Sequence, residues 1–251
     1  MKADLLTGTT GENWLPGGAW RFLPPGTAEV RAALSAPADW LSPGEWLQYQ
    51  SFKISKRAAE FAASRLAAKQ LARSACSLAA GMEFAQIEVG KQVSGAPFLK
   101  FLPEGQEMHG FSLSHSQGAA LCALHEGGGM EFGIDLEWIE PRPEAFLQDF
   151  FTPAERTALT AQLPAQRPLA ATLIWSAKEA VLKALRIGLG LDTRQVEIHL
   201  PERWEVISSQ WRYLKASSPQ HDWQVGWQVR AGFVFTLAQT ADFPFSWQEI
   251  L

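Results

Sequence analysis

The sequence predicts an α+β fold of two similar lobes, an internal duplication within one chain. The order strand, helix, strands is read once before Gly127-Gly128-Gly129 and once after it. In addition, Phe84-Ala85-Gln86-Ile87-Glu88-Val89, which follows the first helix, is echoed by Thr193-Arg194-Gln195-Val196-Glu197-Ile198, which follows the second. The triple glycine divides the chain into lobes 1–126 and 127–251. Two such lobes are expected to pack about a pseudo-twofold and place a site between them.

Taken in order, residues 52–75 form a basic helix. Lys53, Lys56, Arg57, Arg65, Lys69 and Arg73 stand against the single acid Glu60, while Ala, Leu and Phe61 supply helix propensity and an apolar side. Read alone, that charge is a solvated face. Gly81 ends the helix, and strands follow at 87–89, 97–101, 110–114 and 119–124, the last two joined as a hairpin by Ser116-Gln117-Gly118. Beyond the triple glycine, Phe132, Ile134, Leu136 and Trp138 alternate with Gly133, Asp135 and Glu137, the period of a half-buried strand over 131–138. Asp135 and Glu137 therefore share a face. A Pro-punctuated loop leads to a helix around 171–186 with Gly188 and Gly190 as its stop. Strands near 195–200, 210–216, 223–230 and 232–239 complete the second lobe.

Composition narrows the function classes. The chain has 251 residues, 47% of them hydrophobic, enough to fill a sizeable core. No run reaches the roughly eighteen apolar residues of a membrane helix, and the start, Met1 to Gly8, lacks the apolar stretch of a signal peptide, so the cytoplasm is the expected compartment. A net charge of −4 argues against a general nucleic-acid binder. Cys76, expected in a helix, and Cys122, in a strand, are too far apart in kind and number for a disulfide framework or a metal cluster; both are expected to be small buried hydrophobes.

The chemistry concentrates in two segments. In Trp175-Ser176-Ala177-Lys178-Glu179-Ala180-Val181-Leu182-Lys183, Glu179 and Lys183 lie four apart and stack on one helix face, with Lys178 beside them. Joined to Asp135 and Glu137, they make three carboxylates and two lysines, the parts needed to hold a hard cation against a phosphate. Each has an ordinary alternative: a solvated strand face for the acids, a surface ion pair for Glu179 and Lys183. His115 stands between Ser114 and Ser116 at a strand end, a cluster of donors suited to phosphate oxygens. No phosphate-binding glycine loop of either common type is present.

Together the Gly133-Ile134-Asp135-Leu136-Glu137 strand and the Trp-Ser-x-Lys-Glu-x-x-x-Lys helix some forty residues later resemble the paired signature of the surfactin-type (Sfp-like) 4′-phosphopantetheinyl transferases. The basic helix, Gly95-Ala96-Pro97-Phe98 and Phe111-Ser112-Leu113-Ser114-His115-Ser116 stand in that family's order, so the resemblance covers about residues 50–200. It implies the family's two-lobed fold in one chain, hence a monomer. It implies Mg²⁺ held by Asp135, Glu137 and Glu179, and coenzyme A held by Ser114, His115, Lys178, Lys183 and, less directly, Arg57. Lys56 or Arg57 falls where relatives place a cation on the nucleotide 3′-phosphate, and Ser64-Arg65 where they show Gly-Arg. The implied reaction transfers 4′-phosphopantetheine from coenzyme A to a serine of an apo acyl or peptidyl carrier protein, releasing adenosine 3′,5′-bisphosphate, with Glu179 as base and Lys183 on the leaving group.

Family members often have Gly-Lys-Pro where this chain has Gly95-Ala96-Pro97, and Lys100 or Lys91 is left to take the lysine's place. Phe150-Phe151-Thr152-Pro153-Ala154-Glu155 fits the family's pattern after the metal strand, with Pro153 at a helix start and Glu155 either near the site or favouring the helix N-terminus. The rival readings are a metal-dependent phosphodiesterase or nuclease and a non-catalytic carrier-binding subunit. The first expects Glu-x-Lys on a strand, and the second expects eroded acids.

Overall fold

Glu45 and Glu155 mark where the two lobes are built alike. In the computed structural model, which describes residues 18–127, 130–187, 191–201 and 210–251, the first lobe opens with β1 (Gly18–Leu23), α1 (Ala28–Ser35), α2 (Pro43–Ser51) and α3 (Ser55–Ala75). It continues with β2 (Ile87–Lys91), β3 (Pro97–Phe101), β4 (Gln106–Met108), β5 (Phe111–Ser116) and β6 (Ala119–Leu124). The second lobe comprises β7 (Phe132–Trp138), α4 (Glu144–Phe150), α5 (Pro153–Thr160), α6 (Arg167–Leu185), β8 (Glu197–His199), β9 (Arg212–Ser217), β10 (Asp222–Arg230) and β11 (Phe233–Thr240), and β12 (Trp247–Glu249) ends the described strands. The mixed α+β class read from the sequence is the one observed. Residues 128–129 of the triple glycine and Gly188 to Gly190 after α6 lie outside the described residues.

Three sheets result, ordered β12-β1-β6-β5, β7-β11-β10-β9-β8 and β2-β3-β4. All pairings are antiparallel except β1 with β12, where Gly18 faces Trp247. That last strand, which a boundary at residue 127 assigns to the second lobe, is thus hydrogen-bonded into the first lobe's sheet. The hairpin expected at 116–118 is present, with Gln117 and Gly118 both at positive φ; Ala231 and Gly232 make the same turn between β10 and β11.

Each lobe closes its helix onto its sheet with the same buried device. In α2, Ser42 and Glu45 form a capping box, and in α5 Thr152 and Glu155 do. Glu45 also accepts the Val89 amide at 3.0 Å and lies 2.6 Å from Lys69 Nζ. Glu155 accepts the Ile198 amide at 2.8 Å and lies 3.0 Å from Lys178 Nζ. Both lysines are fully buried and give their remaining protons to backbone carbonyls, Lys69 to Trp40 and Phe84, Lys178 to Thr193 and Val196. Burial holds both ammonium groups below the usual lysine range, with the paired carboxylate opposing it.

The apolar core has three parts. α3 packs on β1, β5 and β6 through Ala63, Leu66, Ala67 and Leu71, and α6 packs on the second sheet through Leu173, Ile174, Ala177 and Val181. Between the sheets, Trp20, Phe22 and Leu121 meet Ile134, Leu136 and Phe235, which joins the lobes face to face. Both cysteines are buried and unpaired; Cys76 caps the end of α3 rather than lying within it. Among the described residues no helix is long and apolar enough to cross a membrane.

Candidate active site

Gly133 is where the second lobe's geometry is set. A Cβ at this position would stand 2.2 Å from the Ala180 carbonyl oxygen and 2.5 Å from the Ala184 nitrogen, so only glycine lets α6 lie directly on β7. That close approach brings the acid-bearing strand and the Glu179–Lys183 face of the helix together. Lys183 Nζ lies 2.6 Å from Asp135 Oδ1 and donates to Ser114 Oγ at 3.0 Å. Ser114 in turn donates to Asp135 Oδ1 at 2.8 Å, and Ser112 Oγ accepts the Ile134 amide at 3.1 Å. Two serines of β5 therefore stitch the first lobe's sheet edge to β7, and the site lies on the seam.

The remaining residues of the helix segment are structural. Trp175 Nε1 donates to Glu137 Oε1 at 2.9 Å, while Arg142 holds the other oxygen at 2.9 Å. Ser176 Oγ meets Thr236 Oγ1 of β11 at 2.9 Å. Lys178 pairs with Glu155 as described above and is not among the residues that line the cavity at the seam. Its place beside Glu179 in the sequence is misleading, because adjacent helical residues face about 100° apart. Glu155 is likewise absent from the cavity; it serves the helix N-terminus and the buried pair.

A cavity of about 320 Å³ opens at the seam, lined by Arg65, Lys91, Ala96, His115, Glu179, Lys183 and Arg186 among others. Burial, then the neighbouring Asp135 and Glu137 charges, push the Glu179 carboxyl up to about 7 against the pull of Lys183. Burial and Asp135 also raise Glu137, with Arg142 opposing. Partial enclosure holds the His115 imidazole below its ordinary value, opposed by Glu60.

The expected cofactor contacts divide. His115, Glu179 and Lys183 line the cavity, whereas Ser114 is buried behind it on Asp135 and Lys183. Arg57 stands exposed on the first turn of α3 and is not among the lining residues. Arg65 lines the cavity instead: its guanidinium lies over the Phe61 ring at 4.0 Å and its Nε has no hydrogen-bond partner. Burial draws its pKa down to about 10, with Glu45 opposing. The spacing could have shown this, since Ala58, Ala62, Arg65, Lys69 and Ala72 recur on one buried stripe and Arg57 falls off it. Of the two lysines proposed for the empty position at 96, Lys91 lines the cavity and Lys100 faces Glu88 and Glu107 across the small sheet.

The donor set has the chemistry of a hard divalent cation site. Asp135 Oδ2 is buried with no hydrogen-bond partner, and the three acids feel one another's charge. Among the described residues no three such groups already stand together at ligating distance. Lys183 instead lies on Asp135 Oδ1, and Trp175 and Arg142 lie on the two oxygens of Glu137.

Residues 131–238 match the model of the 4′-phosphopantetheinyl transferase superfamily. The chain is 33% identical over 145 residues to a 4′-phosphopantetheinyl transferase of Bacillus subtilis, a match covering 54% of this chain and 62% of that protein. It is 34% identical over 124 residues to the 4′-phosphopantetheinyl transferase HetI of Nostoc sp., covering 48% of this chain and 50% of the relative. The chain thus spans less than two thirds of the length of these curated relatives. A solved structure, the Thermotoga maritima holo-[acyl-carrier-protein] synthase, aligns at 24% identity and a TM-score of 0.32, covering 54% of this chain and 74% of that one.

Proposed function

We propose that this chain, whose residues 131–238 match the 4′-phosphopantetheinyl transferase superfamily, transfers 4′-phosphopantetheine from coenzyme A to a serine of an apo acyl or peptidyl carrier protein. The supporting observation is the meeting of the two signature segments in space. Lys183 Nζ stands 2.6 Å from Asp135 at the wall of a cavity that Glu179 and His115 also line.

In this reading the carrier serine oxygen attacks the β-phosphorus of coenzyme A. A new oxygen–phosphorus bond forms as the pyrophosphate bridge breaks, and adenosine 3′,5′-bisphosphate leaves with the electron pair. Glu179, raised to about 7, accepts the serine proton near its own pKa, where a general base is most effective. Lys183 meets the charge that grows on the leaving oxygen. His115 holds a phosphate of the donor from the first lobe. Asp135, Glu137 and Glu179 would hold Mg²⁺, which would supply neutralisation of the pyrophosphate charge. No covalent enzyme intermediate is required. A nuclease arrangement fits less well, because Glu179 and Lys183 stand on α6 and not on a strand. Two lobes in one chain support a monomer, working in the cytoplasm.

Intact-mass spectrometry of a panel of apo carrier proteins with this chain, coenzyme A and Mg²⁺ tests the reading. A mass gain of one phosphopantetheine on at least one carrier, lost when metal is chelated, is expected; no gain on any carrier would refute it.

A further inference from the structure

Glu137 is held differently from the acid two residues before it. Asp135 is fixed by Ser114 and Lys183, across the seam and from α6, whereas both oxygens of Glu137 are gripped by donors from the second lobe alone. Trp175 Nε1 and Arg142 Nη2 each donate at 2.9 Å, one to each oxygen. An ionised carboxylate oxygen carries two lone pairs, so each oxygen keeps one for a cation. The guanidinium charge is also shared. Arg142 Nη1 lies 3.1 Å from Glu140 Oε1, which limits how far the arginine offsets the charge of Glu137.

Both donors rest on α4. The Phe146 ring lies 5.2 Å from the Arg142 guanidinium and meets the Trp175 indole edge to face at 4.9 Å. Phe150 stands 4.7 Å from Phe146 and 5.2 Å from Trp175. Arg142 Nε has no hydrogen-bond partner, so the arginine is placed by its two acids and that ring. The Phe150-to-Glu155 segment singled out in the sequence thus has a use at each end: Phe150 supports Trp175, and Glu155 pairs with Lys178.

A small cation makes such a brace matter. Mg²⁺ accepts little departure from octahedral geometry, and glutamate has one more rotatable bond to be fixed than aspartate. Resting on the function proposed above, we infer that Arg142, supported by Phe146 of α4, is a positioning residue that fixes Glu137 in its metal-binding orientation.

Mn²⁺ titration of the full chain with coenzyme A present, followed by the electron paramagnetic resonance of the free ion, tests this. Arg142→Lys keeps the charge but loses the planar grip on two acids, and should weaken Mn²⁺ binding by about tenfold, the low end for losing a ligand's hydrogen-bond partner. Phe146→Leu alters no charge and should weaken binding by at least about threefold, while Phe146→Tyr, which keeps the ring, should restore it. In carrier loading, Arg142→Lys and Phe146→Leu should raise the metal concentration for half-maximal turnover and leave KM for coenzyme A at saturating metal within about twofold of wild type. Wild-type Mn²⁺ affinity in either Arg142→Lys or Phe146→Leu would overturn the inference and leave the proposed function standing. A parallel rise in KM for coenzyme A would overturn it too, because general loosening of the lobe weakens both ligands. Failure of wild type to bind Mn²⁺ would overturn the reading on which the inference rests.

Discussion

Superposing the lobes by their shared parts, Lys69 on Lys178 and the turn Gln117-Gly118 on Ala231-Gly232, sets Gln70 on Glu179 and Ser74 on Lys183 along the helices. Arg21 pairs with Cys122 four residues past its turn, and Asp135 pairs with Thr236 four past its own, so Arg21 falls on Asp135 and Leu23 on Glu137. The neighbourhood is kept: Arg21 Nε donates to Gln70 Oε1 at 2.8 Å, and at the matching positions Asp135 lies near enough to Glu179 for its charge to raise the Glu179 carboxyl. The chemistry is not kept. Three acids in one lobe are an arginine, a leucine and a glutamine in the other, and Arg21 also donates to the Ile250 carbonyl beyond β12, which covers the place. The two lobes therefore share the scaffold and the buried Glu–Lys pair and differ in residue identity at four positions, which is why the proposed metal and phosphate contacts fall in the second lobe alone.

The largest effects should come from what the lobes share. Replacing Lys69 or Lys178 by Met removes the close partner of a buried carboxylate; Lys178→Met, which leaves Glu155 without a cation, should cost about 3–5 kcal/mol in urea unfolding, and Lys69→Met somewhat less, because Arg65 remains 3.8 Å from Glu45. Destabilisation by both would support equivalent braces. A Lys178→Met protein of unchanged stability that no longer binds coenzyme A would instead return Lys178 to the ligand.

Gly133→Ala should cost about 1–3 kcal/mol by overpacking and lower turnover as well, because α6 must lift from the strand that carries Asp135. Its first-lobe counterpart is Ala19, which pairs with Leu124 as Gly133 pairs with Ala238. Ala19→Gly should cost no more than about 1 kcal/mol and leave turnover unchanged. Equal effects of the two on turnover would break the asymmetry. Smaller still, His115→Ala should raise KM for coenzyme A by about tenfold while kcat changes by less than about threefold, the pattern of uniform binding. Turnover lost at constant KM would reassign His115 to proton transfer.

Much of the site could be read from local pattern, because period-2 alternation fixes which face Asp135 and Glu137 share and helical spacing fixes Glu179 against Lys183. The expected helix at 171–186 is observed over Arg167–Leu185. Other features have no local signal. β12 joins β1 through partners more than two hundred residues apart, such as Gly18 and Trp247, and nothing near either segment encodes that pairing. Lys178, beside Glu179 in the sequence, reads as a coenzyme A contact until Glu155 is seen to pair with it from another helix. Arg65 was legible on the buried stripe of α3, but charge alone made Arg57 look its equal.

The most direct test of the account is carrier loading, followed by intact mass, in a matched pair of variants. Glu179→Gln removes the proposed base and should lower turnover by about 10²–10⁴-fold at saturating Mg²⁺. Gln70→Ala alters the same position in the first lobe and should keep turnover within about twofold of wild type. Comparable losses in both variants, or full recovery of Glu179→Gln by added metal, would contradict the assignment of the chemistry to the second lobe's glutamate.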